Sequence, residues 1–184
     1  MKTKAMLLVI CAAVFCSFAG CEHKNKPYKP SYSNAKVQMQ NGESYEEALK
    51  ECFNATYSLG GGEVFYEYMY PDEAINAMKE SGDYDKLITQ FNIGQESQFG
   101  ENSDKLTFDK ITDSHDINET QITAVKSYLK NMCAPFVEEI TEDQFDVKEG
   151  YEVNYSYLNN GEKAGTDTVL VIKLNDEGWK VITG

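Results

Sequence analysis

The first 21 residues constrain the fold most strongly, because they indicate which part of the chain remains in the mature protein. Two lysines precede an apolar run over residues 5–18, and small residues then lead to Cys21. A positive start, an apolar stretch of about 7 to 15 residues and small residues before the cut are typical of a secretory signal. The run is shorter than the roughly 20 apolar residues that a membrane-spanning helix needs. We therefore expect residues 1–20 to be a signal peptide that is removed on export.

The segment closes with Phe18-Ala19-Gly20-Cys21, which resembles the lipobox of bacterial lipoproteins. In that family a small residue precedes a cysteine that receives diacylglycerol and becomes the first mature residue, although Leu is commoner at the position of Phe18. The resemblance implies a lipid on Cys21 and attachment to the extracytoplasmic face of a bacterial membrane. Two acyl chains would anchor firmly, because each buried CH₂ contributes about 0.8 kcal/mol. The alternative is an ordinary signal cleaved nearby, with Cys21 as a spare thiol.

Residues 21–36 carry Pro27, Pro30 and four lysines against a single glutamate, with no apolar period. This composition predicts a flexible basic tether behind the lipidated cysteine. Its lysines would either rest on anionic headgroups, at about 1 kcal/mol per basic residue close to the surface, or remain in solvent as a stalk.

The remaining residues, 37–184, have the usual size of one domain with one core. They hold 29 Asp and Glu against 11 Lys. Such a surface repels nucleic acid, which is therefore not an expected partner. The chain contains no arginine. It therefore lacks the planar guanidinium group that commonly binds phosphates through paired N–H donors.

The first half of this domain has the apolar spacing of helices. Ser44 and Glu47 form a capping-box pattern that opens a helix over residues 44–58, and the glycines at 60–62 end it. A polar loop is expected over residues 94–104. Between the glycines and this loop, apolar faces predict three further helices, over residues 64–69, 71–81 and 84–93.

In the second half of the domain the spacing of apolar residues changes from a helical period to the two-residue period of a strand. A strand is expected over residues 105–113, followed by a helix that begins at a cap on Asn118 and ends near Pro135. Alternation around residues 153–157 and 169–174 predicts strands. The turn sequences Asn159-Asn160-Gly161 and Asn175-Asp176-Glu177-Gly178 connect them as an antiparallel meander.

These elements predict an α+β domain with N-terminal helices packed on one face of a C-terminal curved antiparallel sheet. The polar turn before a closing Gly178-Trp179-Lys180-Val181 strand resembles the cystatin-like cone of the nuclear-transport-factor-two-like superfamily, over about residues 44–182. Domains of that superfamily serve as enzymes, ligand pockets and dimerisation modules. The resemblance therefore implies a fold without choosing a function.

His115 is the one histidine of the domain, beside Asp113 and Asp116. Metal binding needs three or four converging ligands, and we interpret His115 as a structural or solvated side chain. Enzymes of the cone superfamily commonly use an Asp and His pair. We do not carry that role over, because neighbouring residues on a strand should point apart. The sequence predicts no metal, no cofactor and no catalytic set.

Cys52 and Cys133 both lie on the apolar stripes of predicted helices. An exported location permits oxidation, and a disulfide would contribute about 4 kcal/mol by loop-entropy arguments. The competing interpretation is two separate buried thiols, because free cysteine is among the most buried residue types.

Three functions remain open on this basis. The leading hypothesis is a non-enzymatic, lipid-anchored binding or interaction module that contacts a small ligand or an envelope protein. The alternative is a hydrolase or isomerase, which would need two buried carboxylates, distant in sequence, with raised pKa values in one pocket. The third is a homodimer through the outer sheet face, which would need an apolar patch of several hundred Å².

Overall fold

Five α-helices and four β-strands make up the described part of the chain. The computed structural model describes residues 44–99, 105–175 and 177–183, so the predicted signal peptide, Cys21 and the tether lie outside it. The helices are α1 (Tyr45–Tyr57), α2 (Gly62–Met69), α3 (Asp72–Ser81), α4 (Tyr84–Phe99) and α5 (Glu119–Cys133). The strands are β1 (Leu106–Asp116), β2 (Val147–Asn159), β3 (Glu162–Leu174) and β4 (Gly178–Thr183). None of the helices in these ranges has the length and apolarity that a bilayer crossing requires.

Helices α1 and α5 begin where the sequence provides side-chain caps. At the start of α1, the Ser44 hydroxyl accepts the backbone N–H of Glu47 at 3.3 Å. At the start of α5, Asn118 and Gln121 each bond the backbone N–H of the other, at 3.1 and 3.0 Å. These bonds satisfy donors that a helix start leaves unpaired. The predicted starts of α1 and α5 are confirmed.

Helix α4 runs past Gly94 to Phe99, so the predicted loop is wrong over residues 94–99, and its remaining residues, 100–104, lie outside the described part of the chain. The cause is the next residue, Gln95, whose side chain is only 4% exposed. Its amide donates to the carbonyl oxygens of Ala55 at 2.6 Å and Thr56 at 3.0 Å. Its oxygen accepts the N–H of Gly61 at 3.2 Å. These contacts with the end of α1 outweigh the roughly 1 kcal/mol that a mid-helix glycine costs.

The strands form one antiparallel sheet in the order β1-β2-β3-β4. Positive φ angles at both Asn160 and Gly161 give the β2–β3 hairpin the primed turn that suits strand twist. The predicted meander of β2, β3 and β4 is confirmed. Strand β1 precedes α5 in the chain and pairs with β2, so the helices do not all come before the sheet.

Helices contact both faces of this sheet, and the expectation of one covered face is wrong. Phe53 of α1 lies against the ring of Tyr155, at 5.8 Å between centroids. Side chains alternate along a strand, so Glu152 points to the opposite face, where it accepts a hydrogen bond from Gln121 of α5 at 2.8 Å. The fully buried side chains of the sheet include Val153, Val171 and Ile172.

Candidate functional site

A cleft of about 250 Å³ opens where β1 ends and β2 begins. The backbone N–H of Ile117 donates to the carbonyl oxygen of Gly150 at 3.0 Å and so continues the strand pairing for one more residue. A side chain on Gly150 would come within 2.3 Å of Ile117 Cδ1, so the glycine lets Ile117 lie close against β2. The lining residues are Asp116, Ile117, Ile122, Val147, Lys148, Glu149, Gly150 and Tyr151.

Tyr151 is among the residues that line the cleft, and its neighbours on the side of α1 fix the position of its ring. Its ring stacks on Tyr45 with centroids 4.4 Å apart, and Trp179 lies 6.1 Å away. The Tyr45 hydroxyl is hydrogen-bonded to Ser114 Oγ at 3.1 Å. Partial burial raises the pKa of Tyr151, and the negative charges of nearby carboxylates raise it further. Tyr151 is therefore a neutral, positioned ring at physiological pH.

The rim of the cleft is charged, and both its Lys148 and the nearby Lys173 have acidic partners. Lys148 Nζ lies 2.8 Å from a carboxylate oxygen of Asp146, and Lys173 Nζ lies 3.7 Å from Glu149. Asp116 makes no ion pair with any residue that the structure describes. The cleft thus combines apolar residues with an edge where negative charge is in excess.

A second group of charges surrounds Lys180, whose side chain is 2% exposed. Its Nζ donates to the Glu67 carbonyl oxygen at 3.1 Å and lies 3.5 Å from Asp72 and 3.6 Å from Glu177. Glu177 also accepts the backbone N–H of Asp72 at 2.8 Å, at the start of α3. A carboxylate is favoured there by the helix dipole.

The carboxylates around Lys180 have shifted acidities. Burial raises the pKa of Glu67 and of Glu177, while the positive charge of Lys180 opposes the rise in both. This cluster contains acidic residues distant in sequence, as the hydrolase hypothesis requires. None of them lines the cleft at Tyr151. The contacts with Lys180 and with the N-terminus of α3 give the cluster a stabilising role.

His115 lies on the surface at the end of β1. Its Nε2 is 3.0 Å from a carboxylate oxygen of Asp113, and the two side chains are 65% and 56% exposed. The expectation that these two side chains point apart is wrong, because residues two apart on a strand share a face. Within the described ranges, no group of three or more metal-ligating side chains converges.

The structure buries both Cys52 and Cys133, and the choice between a disulfide and two separate thiols stays a prediction. Burial raises the pKa of the Cys133 thiol to about 12, and the charges of Glu73 and Glu177 add to the rise. A thiol of this acidity is not a nucleophile at neutral pH.

The outer face of β1, β2 and β3 is polar where helices do not cover it. The hydroxyl of Thr168 bonds Asn154 Oδ1 at 2.6 Å, and the hydroxyl of Thr112 donates to the Asn154 carbonyl at 3.1 Å. Ser156 Oγ donates to Asp109 at 2.7 Å. Hydroxyl, amide and carboxylate groups therefore bond one another across the three strands at these positions, which are polar rather than apolar.

Sequence reasoning missed both the cleft and the buried Lys180. The cleft joins segments about 30 residues apart, and only the glycine at 150, inside a strand pattern, marks a close approach of neighbouring groups. Lys180 carries no local signal, because a lysine in a strand normally faces solvent. No protein-family model, curated protein or solved structure matches this chain.

Proposed function

We propose that this protein is a lipid-anchored, extracytoplasmic binding module without enzymatic activity, which contacts a small ligand or an envelope protein through the cleft at Tyr151. The observation that carries the proposal is the composition of the cleft. Apolar residues (Ile117, Ile122 and Val147) and charged residues (Asp116, Lys148 and Glu149) line one concave site. Binding sites typically combine a mainly apolar lining with a few placed polar groups.

The proposal includes a cystatin-like cone as the framework. The antiparallel meander and the closing Gly178-Trp179-Lys180-Val181 strand support it. In this framework we assign binding to the edge of the sheet, because Val153 and Val171 are fully buried and fill its centre.

A hydrolase or isomerase is the second candidate, favoured by the raised pKa values of Glu67 and Glu177. A general acid needs a carboxyl group whose pKa approaches the working pH. The candidate ranks below the binding module because Lys180 lies 3.6 Å from the Glu177 carboxylate and neither Glu67 nor Glu177 lines the cleft. A catalytic carboxyl must instead reach a substrate.

The binding proposal is tested by site-specific photo-cross-linking in the full chain, expressed in its own host. A photoreactive phenylalanine analogue replaces Glu149 on the rim of the cleft. Glu162, exposed at the start of β3 and paired with Asn159 at the far end of β2, serves as the matched control position. We expect adducts at 149 that are reduced by Tyr151→Ala and absent at 162. Equal labelling at the two positions, or none at either, would overturn the proposal.

The anchor is tested separately through Cys21. We expect Cys21→Ser to move the protein from the membrane fraction to the soluble extracytoplasmic fraction, because the acyl chains supply the attachment. Mass spectrometry of the membrane-bound protein should show diacylglycerol on the N-terminal cysteine. Recovery of the Cys21→Ser chain in the membrane fraction would contradict lipid attachment at this residue.

A further inference from the structure

We infer that Asn160 is a modification site, and that its side-chain amide is lost by spontaneous deamidation only while the hairpin between β2 and β3 is open. Asn160 and Gly161 form the turn of this hairpin. The inference is independent of the proposed binding function, because it concerns the covalent chemistry of the turn and not the cleft. It follows from the dipeptide, from the backbone angles of the turn and from the contacts between Asn160 and Lys105.

The Asn160-Gly161 dipeptide has the chemistry of a deamidation site. The backbone nitrogen of Gly161 forms a bond to Cγ of Asn160, the side-chain amino group leaves with the Gly161 N–H proton as ammonia, and a cyclic imide results. Water then opens either carbonyl of the imide, which gives aspartate or iso-aspartate, and no other reactant is needed. Glycine has no side chain to hinder the attacking nitrogen, and both residues are exposed to water.

The backbone of the folded turn prevents the imide ring from closing. Asn160 has a φ of 52° and Gly161 a φ of 84°. These are the positive angles of a type I′ turn, in which ψ of the first central residue is about +30°. At this ψ, the Cβ of Asn160 and the nitrogen of Gly161 lie on nearly opposite sides of the Cα–C bond. The Cγ of Asn160 therefore cannot reach the nitrogen until the turn unwinds.

Contacts with Lys105 hold Asn160 in this conformation. The backbone N–H of Asn160 donates to the carbonyl oxygen of Lys105 at 3.0 Å, and the side-chain oxygen of Asn160 accepts the backbone N–H of Lys105 at 3.3 Å. The flanking residues, Asn159 and Glu162, are partners in the pairing of β2 with β3. Reaction at Asn160 requires a local opening that breaks these contacts, so its rate in the folded protein should follow the open fraction.

The two products have different effects on the hairpin. Aspartate, like asparagine, is tolerated at positive φ, and its carboxylate can accept the N–H of Lys105. Iso-aspartate instead routes the main chain through the side-chain carbons, so the turn gains one backbone carbon. The pairing of Asn159 with Glu162 then cannot re-form as before. An opening that leads to iso-aspartate is therefore recorded permanently in the chain.

The test compares deamidation in the folded and the denatured protein. The full chain in neutral detergent is incubated at mildly alkaline pH without denaturant and, separately, in guanidinium chloride. Mass spectrometry of the proteolytic peptide that contains residue 160 follows the loss of the amide. Asn41-Gly42, the other Asn-Gly pair of the sequence, calibrates the rate in guanidinium chloride. We expect residue 160 to react at least about tenfold more slowly without denaturant, because a paired hairpin is rarely open. Equal rates in the two conditions would overturn the inference.

Two substitutions of Lys105 isolate the contact with the Asn160 side chain. Lys105→Pro removes the backbone N–H that donates to this side chain, whereas Lys105→Ala keeps it and serves as the matched control. We expect the folded Lys105→Pro protein to lose the amide about threefold faster or more, the effect of losing one hydrogen bond. Lys105→Ala should keep the rate of the unaltered protein, and all three proteins should react alike in guanidinium chloride. Equal rates in the two folded variants would overturn the role of the Lys105 contact.

The fate of the turn is tested with the tolerated product. Asn160→Asp should unfold at the same denaturant concentration as the unaltered protein, because aspartate keeps both the positive φ and the acceptor for Lys105. The iso-aspartate form, separated by chromatography after incubation in guanidinium chloride and refolded, should unfold at a lower denaturant concentration. Equal midpoints for the two forms would contradict the loss of the turn.

Discussion

The ammonium group of Lys180 lies 3.1 Å from the backbone carbonyl oxygen of Glu67, although 113 positions separate the two residues in the chain. The same ammonium group is within 3.6 Å of carboxylates on Asp72 and Glu177. Strand β4 is thereby joined to the end of α2 and the start of α3. A buried ammonium group needs such partners, because removing a charge from water costs several kcal/mol.

Replacing Lys180 with methionine should therefore destabilise the protein. Methionine keeps the approximate length of the side chain, but Glu177 then retains a mostly buried negative charge without the lysine. We expect Lys180→Met to lower the free energy of unfolding by about 3 kcal/mol, measured by urea denaturation. Lys148→Met is the matched control, because Lys148 pairs with Asp146 on the surface and its loss should cost less than about 1 kcal/mol. Similar losses in the two variants would contradict a special role for Lys180.

The raised pKa values of Glu67 and Glu177 predict how stability depends on pH. Burial holds both above the ordinary value of 4.5, so just above pH 4.5 the folded protein binds more protons than the unfolded chain. Stability should then rise as the pH falls from 7 towards 5. Glu46 and Asp83 have lowered pKa values, and the stability they contribute is lost only at lower pH.

Thermal unfolding at pH 7 and pH 5 checks this dependence. Glu67→Gln should show a smaller gain in unfolding temperature between the two values, because glutamine does not titrate. Glu162→Gln, at an exposed position, should keep the gain of the unaltered protein. A Glu67→Gln protein with the full gain would show that Glu67 does not carry the effect.

The elements that the sequence predicts well depend on signals within a few residues. Ser44 and Asn118 cap helices through bonds to residues three positions ahead, and Asn160-Gly161 sets the β2–β3 turn by its own backbone angles. Such features can be recognised in one short window. The alternating pattern of β2 and β3 is equally local, because it follows from the two-residue period of a strand.

The features that escaped prediction depend on contacts between distant segments. Helix α4 continues past Gly94 because Gln95 bonds Ala55, 40 positions away. The burial of Lys180 depends on Asp72, 108 positions away. Periodicity carries no information about which distant groups will meet. The cleft and the charge cluster therefore became visible only in the folded structure.

The two cysteines should be protected in the folded protein. Cys52 and Cys133 are buried, and burial holds the pKa of Cys133 near 12, so neither should react with iodoacetamide at pH 8. After denaturation without reductant, both should be alkylated. A mature chain carrying Cys21→Ser avoids labelling at the anchor, and intact-mass spectrometry counts the alkyl groups. Two labels that appear only after reduction would instead establish the disulfide that the sequence left open.

Two glycines at the junction of α1 and α4 should respond oppositely to alanine. A Cβ on Gly61 would lie 2.0 Å from the carbonyl oxygen of Ala55, whereas a Cβ on Gly94 meets nothing within 4 Å. We expect Gly61→Ala to lower the free energy of unfolding by about 2 kcal/mol or more, because backbone must move to relieve the overlap. Gly94→Ala should raise it by about 0.5 to 1 kcal/mol, the usual gain inside a helix. Urea denaturation of both variants measures the difference, and a loss of stability on Gly94→Ala would contradict a helix that continues through residue 94.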